Sequence, residues 1–278
     1  MHTERKSWRR GTQSILFASL FVLAFARCAQ AQTAAEALPD APQAQTQAQS
    51  QNPTTNEITV CDTPLNVVKD QKGIWTSSFR IHPHDLVWLA PLTLATGAAI
   101  ATDHRALKDV VSTDPSFNNA STNTSNVMIG GFIAAPVAIY GFGHFHQSEH
   151  AREAGLLSAE ALLDGLVVEQ GMKFIFWRER PNVDSERGRF FQTSAGWDSS
   201  FPSSHSVVAW STASAIATEY PRTWTRILVY SGATGVSLTR VLGQQHFPSD
   251  VLVGSAAGWL IGRYVVRHHY HWRYLAAH

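Results

Sequence analysis

PSSHSVVAWSTASAIATEYPRTWTRILVYSGATGVSLTRVLGQQHFPSD, residues 202–250, decides the reading of this chain. Small and apolar residues run through it with no two-residue alternation, so it reads as helix rather than strand. Ser203 suits an N-cap and Ser204 a first helical position, which predicts a helix over 205–220 ended by Pro221. A second helix is predicted from Trp224 to Leu238. Pro248 suits the first turn of a third, running to Val266. These helix starts place chemistry. His205 falls on a first turn, where free N–H groups and the helix dipole favour an anion. His246 falls just before a helix start and Asp250 just inside it. Four residues apart, Asp250 can accept a hydrogen bond from one imidazole nitrogen, leaving the other free as a nucleophile. Arg240 approaches from the end of the preceding helix.

Upstream, Lys173 and Arg180 are seven residues apart, two turns of helix, so both can point along one face. Pro181 disfavours helical geometry at Arg180, which therefore lies where helix gives way to loop. A guanidinium there can grip two phosphate oxygens while the lysine adds a point charge. Each element alone is more often structural. A capping Ser-Ser with a structural His, a solvated Lys and a His-x3-Asp pair are all common.

The three elements together resemble the type 2 phosphatidic acid phosphatase and vanadium haloperoxidase superfamily, whose pattern is K-x6-R-P, P-S-G-H and S-R-x5-H-x3-D. This chain has Lys173…Arg180-Pro181, Pro202-Ser203-Ser204-His205 and Thr239-Arg240…His246…Asp250. The resemblance implies that His246 is a nucleophile forming a phosphohistidine, that Asp250 orients it and that His205 is the general acid. It implies that Lys173, Arg180, Arg240, Ser203 and the backbone N–H of Ser204 bind phosphate oxygens, that the phosphatases need no metal or other cofactor, and that vanadate fits the same oxyanion site. The implied substrate is a phosphate monoester, a phosphorylated small molecule or a lipid phosphate. A vanadate-dependent haloperoxidase and a non-catalytic envelope protein are the alternatives. Ser204 stands where the family has Gly, and Thr239 where it has Ser. Neither change removes a charged or nucleophilic group.

The rest of the chain reads as export signal and scaffold. Arg5, Lys6, Arg9 and Arg10 precede an uncharged apolar run from Ile15 to Ala26, and Ala29-Gln30-Ala31 fits a cleavage site. Residues 1–31 are thus expected to be a signal peptide, which sends the chain to the cell envelope, periplasmic or membrane-embedded. Its removal leaves 17 basic against 20 acidic residues and Cys61 as the lone cysteine. Residues 32–72 are expected to form a Gln/Ala/Pro-rich tether and an irregular lead-in segment. Residues 73–278 are the expected helical domain, with the motif core at 173–250. Ile74-Trp75 and Phe79-Arg80-Ile81 are candidate docking points for the lead-in.

Apolar runs near 86–102 and 127–143 have the short end of membrane-spanning length, and the amphipathic stretch 151–176 is a further helix. Residues 103–126 read as a long polar loop and 182–200 as another. Gly130-Gly131 and Gly141 suit close helix packing. His268, His269 and His271 read as a solvated or interfacial tail, and so do the paired His82/His84 and His144/His146. The fold class is all-α, a bundle of about six helices with its site at helix ends and loops. The chain is 44% hydrophobic and 15% charged, against about 25% charged in soluble domains, which points to large buried faces or contact with a bilayer. A formal net charge of +1 gives no footing for nucleic acid.

Overall fold

The computed structural model describes residue 60 and residues 63–77, 81–182 and 187–269. The expected signal peptide, the tether, both cysteines, Phe79-Arg80 and the tail beyond His269 lie outside them. The chain divides between Leu65 and Asn66, and residues from Asn66 onward form one unit. Among the described residues there are seven α-helices and no strand: α1 (Thr63–Ser77), α2 (Leu86–Arg105), α3 (Pro115–Phe145), α4 (Glu149–Phe176), α5 (Ser204–Glu219), α6 (Thr223–Leu242) and α7 (Pro248–His269). The all-α class is as the sequence predicts.

Helix α5 is the centre of the bundle. Its apolar and small residues from Ser206 to Ala217 are buried almost without interruption, and α4, α6 and α7 pack around it. Val208, Ala209 and Ala213 of α5 meet Leu162 of α4, Ile129 of α3, and Ala233 and Val236 of α6 in one apolar cluster. The closest approach is that of α7. A Cβ on Gly258 would sit 2.4 Å from the carbonyl oxygen of Val207, and one on Gly262 would sit 2.3 Å from that of Ser211. Backbone atoms cannot yield as a flexible side chain can, so these glycines set the α5–α7 separation. Gly258→Ala is expected to cost about 1–3 kcal/mol of stability, read as a lower thermal midpoint in detergent. The glycines expected at helix contacts are elsewhere: a Cβ on Gly130, Gly131 or Gly141 would meet nothing within 4 Å.

Two stretches read as irregular are helical. Residues 115–126, inside the expected loop 103–126, form the first three turns of α3. Asp114 caps them, accepting from the backbone N–H groups of Ser116 and Phe117, and Pro115 occupies the first turn. Before them, α2 runs through Arg105 into a π-helical turn, Ala106–Val110. The second stretch is α1, which lies in the expected lead-in. Its ordering comes from partners distant in sequence. Gln71 donates to Asp164 Oδ1 at 2.7 Å, and the Trp75 ring lies where a Cβ on Gly171 would be, 2.7 Å away. Residues 66–72, placed before the domain by the sequence reading, are therefore part of this unit.

Among the described residues, two helical stretches are long and apolar enough to cross a membrane, Pro83–Val110 and Pro115–Phe145. Much of their apolar surface faces outward, with Val87 80%, Leu94 75% and Val127 77% exposed, although Ile129 of α3 turns into the core cluster. That distinguishes them from core helices of a soluble bundle, whose apolar residues are covered.

Candidate active site

The three motif elements converge at one end of the bundle. Helix α4 ends at Phe176, and Trp177 takes a left-handed conformation (φ 37°). Arg180 thus lies past the helix that carries Lys173, as Pro181 predicts, and does not share the helix face that the seven-residue spacing allows. It reaches the site from the loop beyond the helix, which is pinned by Phe191 N–H to the Phe176 carbonyl and Gln192 N–H to the Trp177 carbonyl. Helix α5 starts at Ser204 with Ser203 as N-cap, α6 delivers Arg240 from its last turn, and α7 starts at Pro248.

His246 is 1% exposed. Its Nδ1 lies 2.9 Å from the backbone carbonyl of Ser200. A carbonyl can only accept, so Nδ1 carries the proton and Nε2 presents a lone pair. Arg180 Nη1 stands 3.4 Å from that Nε2 and donates to the Gln245 carbonyl at 3.1 Å. The rest of the Arg180 guanidinium is held by Asp198, through its backbone carbonyl and its carboxylate, both at 3.0 Å.

Asp250 does not bind the imidazole directly. Its Oδ2 is 3.7 Å from His246 Nδ1. It receives instead the Ser200 hydroxyl at 2.5 Å and the Phe247 N–H at 2.9 Å. The carboxylate thereby fixes the two segments that flank the imidazole, and the Ser200 carbonyl fixes the tautomer. Burial pushes the Asp250 carboxyl above its ordinary range, and the Arg178 guanidinium opposes that.

Lys173 Nζ is 2.7 Å from Glu169 Oε1 and donates to Ser204 Oγ at 2.9 Å, while Ser204 donates to Glu169 at 2.6 Å. The Ser204 side chain is thus occupied, and only its backbone faces the helix start. Ser203 Oγ is fully buried and has no hydrogen-bond partner. Its backbone N–H donates to the Asp250 carbonyl at 3.1 Å, tying the start of α5 to the start of α7. His205 Nε2 lies 3.1 Å from Asn126 Oδ1, and Arg240 Nη1 reaches the same oxygen at 3.4 Å.

Electrostatics confirm the convergence of charge. Burial first, and then Arg240, His246, Arg180 and Lys173, push the His205 pKa down to about 2. Burial, Arg180, Arg240 and Lys173 hold His246 well below its ordinary value. Both imidazoles are therefore neutral in the free protein, surrounded by three cations. Such a set can hold a tetrahedral oxyanion against a lone pair.

The sequence reading missed Arg178. It is 2% exposed and joins four partners. Nη1 contacts Asp250 Oδ1 at 2.5 Å and Ser249 Oγ at 2.6 Å, Nη2 contacts Asp103 Oδ2 at 2.8 Å, and Nε donates to the Gly188 carbonyl at 3.1 Å. Its guanidinium lies between the rings of Phe190 and Phe247, 4.6 and 4.2 Å from their centroids. Gly188 approaches this stack with φ +57°, where a Cβ would be 2.4 Å from the Phe247 ring, so only glycine fits without strain. Asp103 also accepts from the backbone and hydroxyl of Ser249. Asn126, Ser200 and Glu169 were missed too. Of these only Glu169 had a local signal, standing four residues before Lys173 on the same helix face.

Residues 154–274, which carry every site residue anticipated from the sequence, match the family model of the PAP2 superfamily. The lipid A 1-phosphatase of Porphyromonas gingivalis is 29% identical over 153 residues, covering 53% of this chain and 30% of that protein. The chain thus spans less than a third of the length of that curated relative. Among solved structures, the first transmembrane PAP2 type phosphatidylglycerolphosphate phosphatase from Bacillus subtilis is 20% identical, with a TM-score of 0.45. The match covers 74% of this chain and 96% of that one.

Proposed function

We propose that the chain is a membrane-associated phosphatase that hydrolyses phosphate monoesters of lipids, with His246 Nε2 as nucleophile. The observation that carries this reading is the single imidazole lone pair at His246, with the tautomer set by the Ser200 carbonyl and the Arg180 guanidinium 3.4 Å away. In this reading Arg180, Arg240 and Lys173 take the phosphate oxygens, with the Ser203 hydroxyl and the backbone N–H of Ser204 as further donors. Nε2 bonds to phosphorus as the ester oxygen leaves. His205 gives that oxygen a proton. Water then attacks the phosphohistidine, its proton returns to His205, and inorganic phosphate departs. Asp250 acts as a positioning residue through Ser200 and Phe247.

The lipid part of the reading rests on two features. The outward apolar faces of α2 and α3 suit a bilayer. Beside the site, an apolar groove of about 740 Å³ is lined by Trp210, Leu238, Val241, Val251, Leu252 and Trp259. Its walls come from the same turns of α6 and α7 that carry Arg240 and Asp250, so an acyl or isoprenoid chain lying there keeps its phosphate near the cations. The P. gingivalis relative is named for a lipid phosphate.

The test is phosphate release from phosphatidic acid and from p-nitrophenyl phosphate by the detergent-solubilised chain, with chelator present. Release from the lipid, competed by orthovanadate, is expected. Binding of either substrate without release refutes the reading.

The pH dependence follows from His205. Its pKa of about 2 leaves it neutral in the free protein at any working pH. The negative charge of a bound phosphate offsets the three cations and raises that pKa, and the proton arrives with a monoanionic substrate. The second pKa of a phosphate monoester is about 6. Consequently kcat/KM is expected to fall as pH rises from 5 to 8. A profile that rises over this interval would rule out His205 as the acid.

A further inference from the structure

We propose that Asp70, Glu160 and His269 form a divalent-cation site, distinct from the phosphate site, that fastens α1 to α4 and α7. The three residues come from three helices. Their candidate ligand atoms all lie within 4.8 Å of one another. Glu160 stands 13 residues before Lys173 in α4, about 20 Å along the helix, so this centre shares no residue with the catalytic end.

The geometry around His269 is the argument. Its Nε2 faces three carboxylate oxygens: Asp70 Oδ1 at 2.9 Å, Asp70 Oδ2 at 2.8 Å and Glu160 Oε1 at 3.3 Å. One ring nitrogen carries at most one hydrogen, which can be shared between the two Asp70 oxygens but leaves Glu160 Oε1 without a donor. A nitrogen lone pair and three anionic oxygens turned toward a common point form the inner ligand set of a cation. A second observation points the same way. Glu160 is fully buried, and its Oε1, one of the converging atoms, has no hydrogen-bond donor. One turn along α4, Asp164 is also fully buried with its Oδ2 unpaired, and Gln71 holds its other oxygen at 2.7 Å. Asn66 reaches the outer oxygen of Glu160 at 3.4 Å. Such outer amides orient ligating carboxylates.

Charge balance agrees. Three carboxylates are gathered away from water beside one imidazole. Buried carboxylates without cationic compensation are costly, and a divalent ion supplies it. Two carboxylates with one imidazole and no thiolate suit Zn²⁺ or Mn²⁺.

The full chain, purified in detergent without a polyhistidine tag and stripped with EDTA, would be dialysed against micromolar Zn²⁺ or Mn²⁺. One equivalent per chain is expected to remain. Asp70→Asn and Glu160→Gln should each weaken retention at least tenfold, and Mn²⁺ should raise the thermal midpoint of the parent but not of these variants. His268→Ala/His271→Ala should leave retention intact. Mn²⁺-loaded parent should also show a single ¹⁴N coupling in its electron spin echo spectrum, a readout that needs no variant to fold. Retention undiminished in both carboxylate variants, absence of a nitrogen coupling, or no retained ion overturns the proposal. The last result would leave the three residues as a protonated-imidazole ion pair.

Discussion

Alanine at position 246 is expected to lower phosphate release by about four to six orders of magnitude, the range seen when a covalent nucleophile is removed. The expectation follows from the arrangement of donors. Lys173, Arg180 and Arg240 would still bind phosphate, so KM should change far less than kcat. Among the described residues, no other side chain stands ready to replace the Nε2 lone pair. His205 is the other imidazole of the site, and its Nε2 is engaged with Asn126. Trapping ³²P from a labelled substrate by alkaline quench should give a base-stable, acid-labile phosphoenzyme in the parent and none in the variant. Far-UV circular dichroism checks that the helices persist. Retention of full turnover and of trapped label by His246→Ala would end the nucleophile assignment.

The second large effect concerns stability. Arg178→Met leaves Asp103 and Asp250 buried, with their shared guanidinium gone. Removing one partner of a buried pair costs about 3–5 kcal/mol, because the remaining charge is stranded. The loss here falls on two carboxylates at once, together with the stacking between Phe190 and Phe247. Denaturant or thermal unfolding in detergent would measure it. Adding Asp103→Asn and Asp250→Asn to Arg178→Met should recover part of the stability, since no buried charge then remains. It should not recover turnover, because the Asp250 carboxylate that seats Ser200 and Phe247 is lost. If the single variant unfolds like the parent, the network carries no stability.

Arg178 also shows where sequence reading stops. Its strongest partner outside the motif is Asp103, 75 residues upstream, and nothing local marks that pairing. The motif residues were legible because their spacing is tied to helix starts that Ser203 and Pro248 announce. The converging positions of Lys173, Arg180, His205, Arg240, His246 and Asp250 could be anticipated, whereas the hydrogen-bond partners of Asp250 could not. Four residues of separation allow an imidazole–carboxylate bond, but the Ser200 carbonyl takes that place, and a backbone atom leaves no trace in residue type. The all-α class was legible from the unbroken apolar runs. The start of α3 was not. Its Asn, Ser and Thr residues have turn composition, and only the Asp114 cap with Pro115 reverses that. Helix α1 was hidden for another reason. Its few apolar residues, Leu65, Val67, Val68, Ile74 and Trp75, are interleaved with polar ones, and its order depends on Asp164 and Gly171, which lie about a hundred residues away.

Asn126 gives α3 a role besides filling the bundle. It sits 11 residues past Pro115, about 16 Å along the helix axis, and touches both His205 and Arg240. The longest outward-facing apolar helix is therefore a ruler. A point about a third of the way along it is registered on His205 and Arg240, and under the proposed function the rest would set how far those groups stand from the hydrocarbon. A change in bilayer thickness that tilts α3 would move Asn126 against its two partners. Turnover should then vary with the acyl length of the host lipid even when the substrate lipid is kept the same.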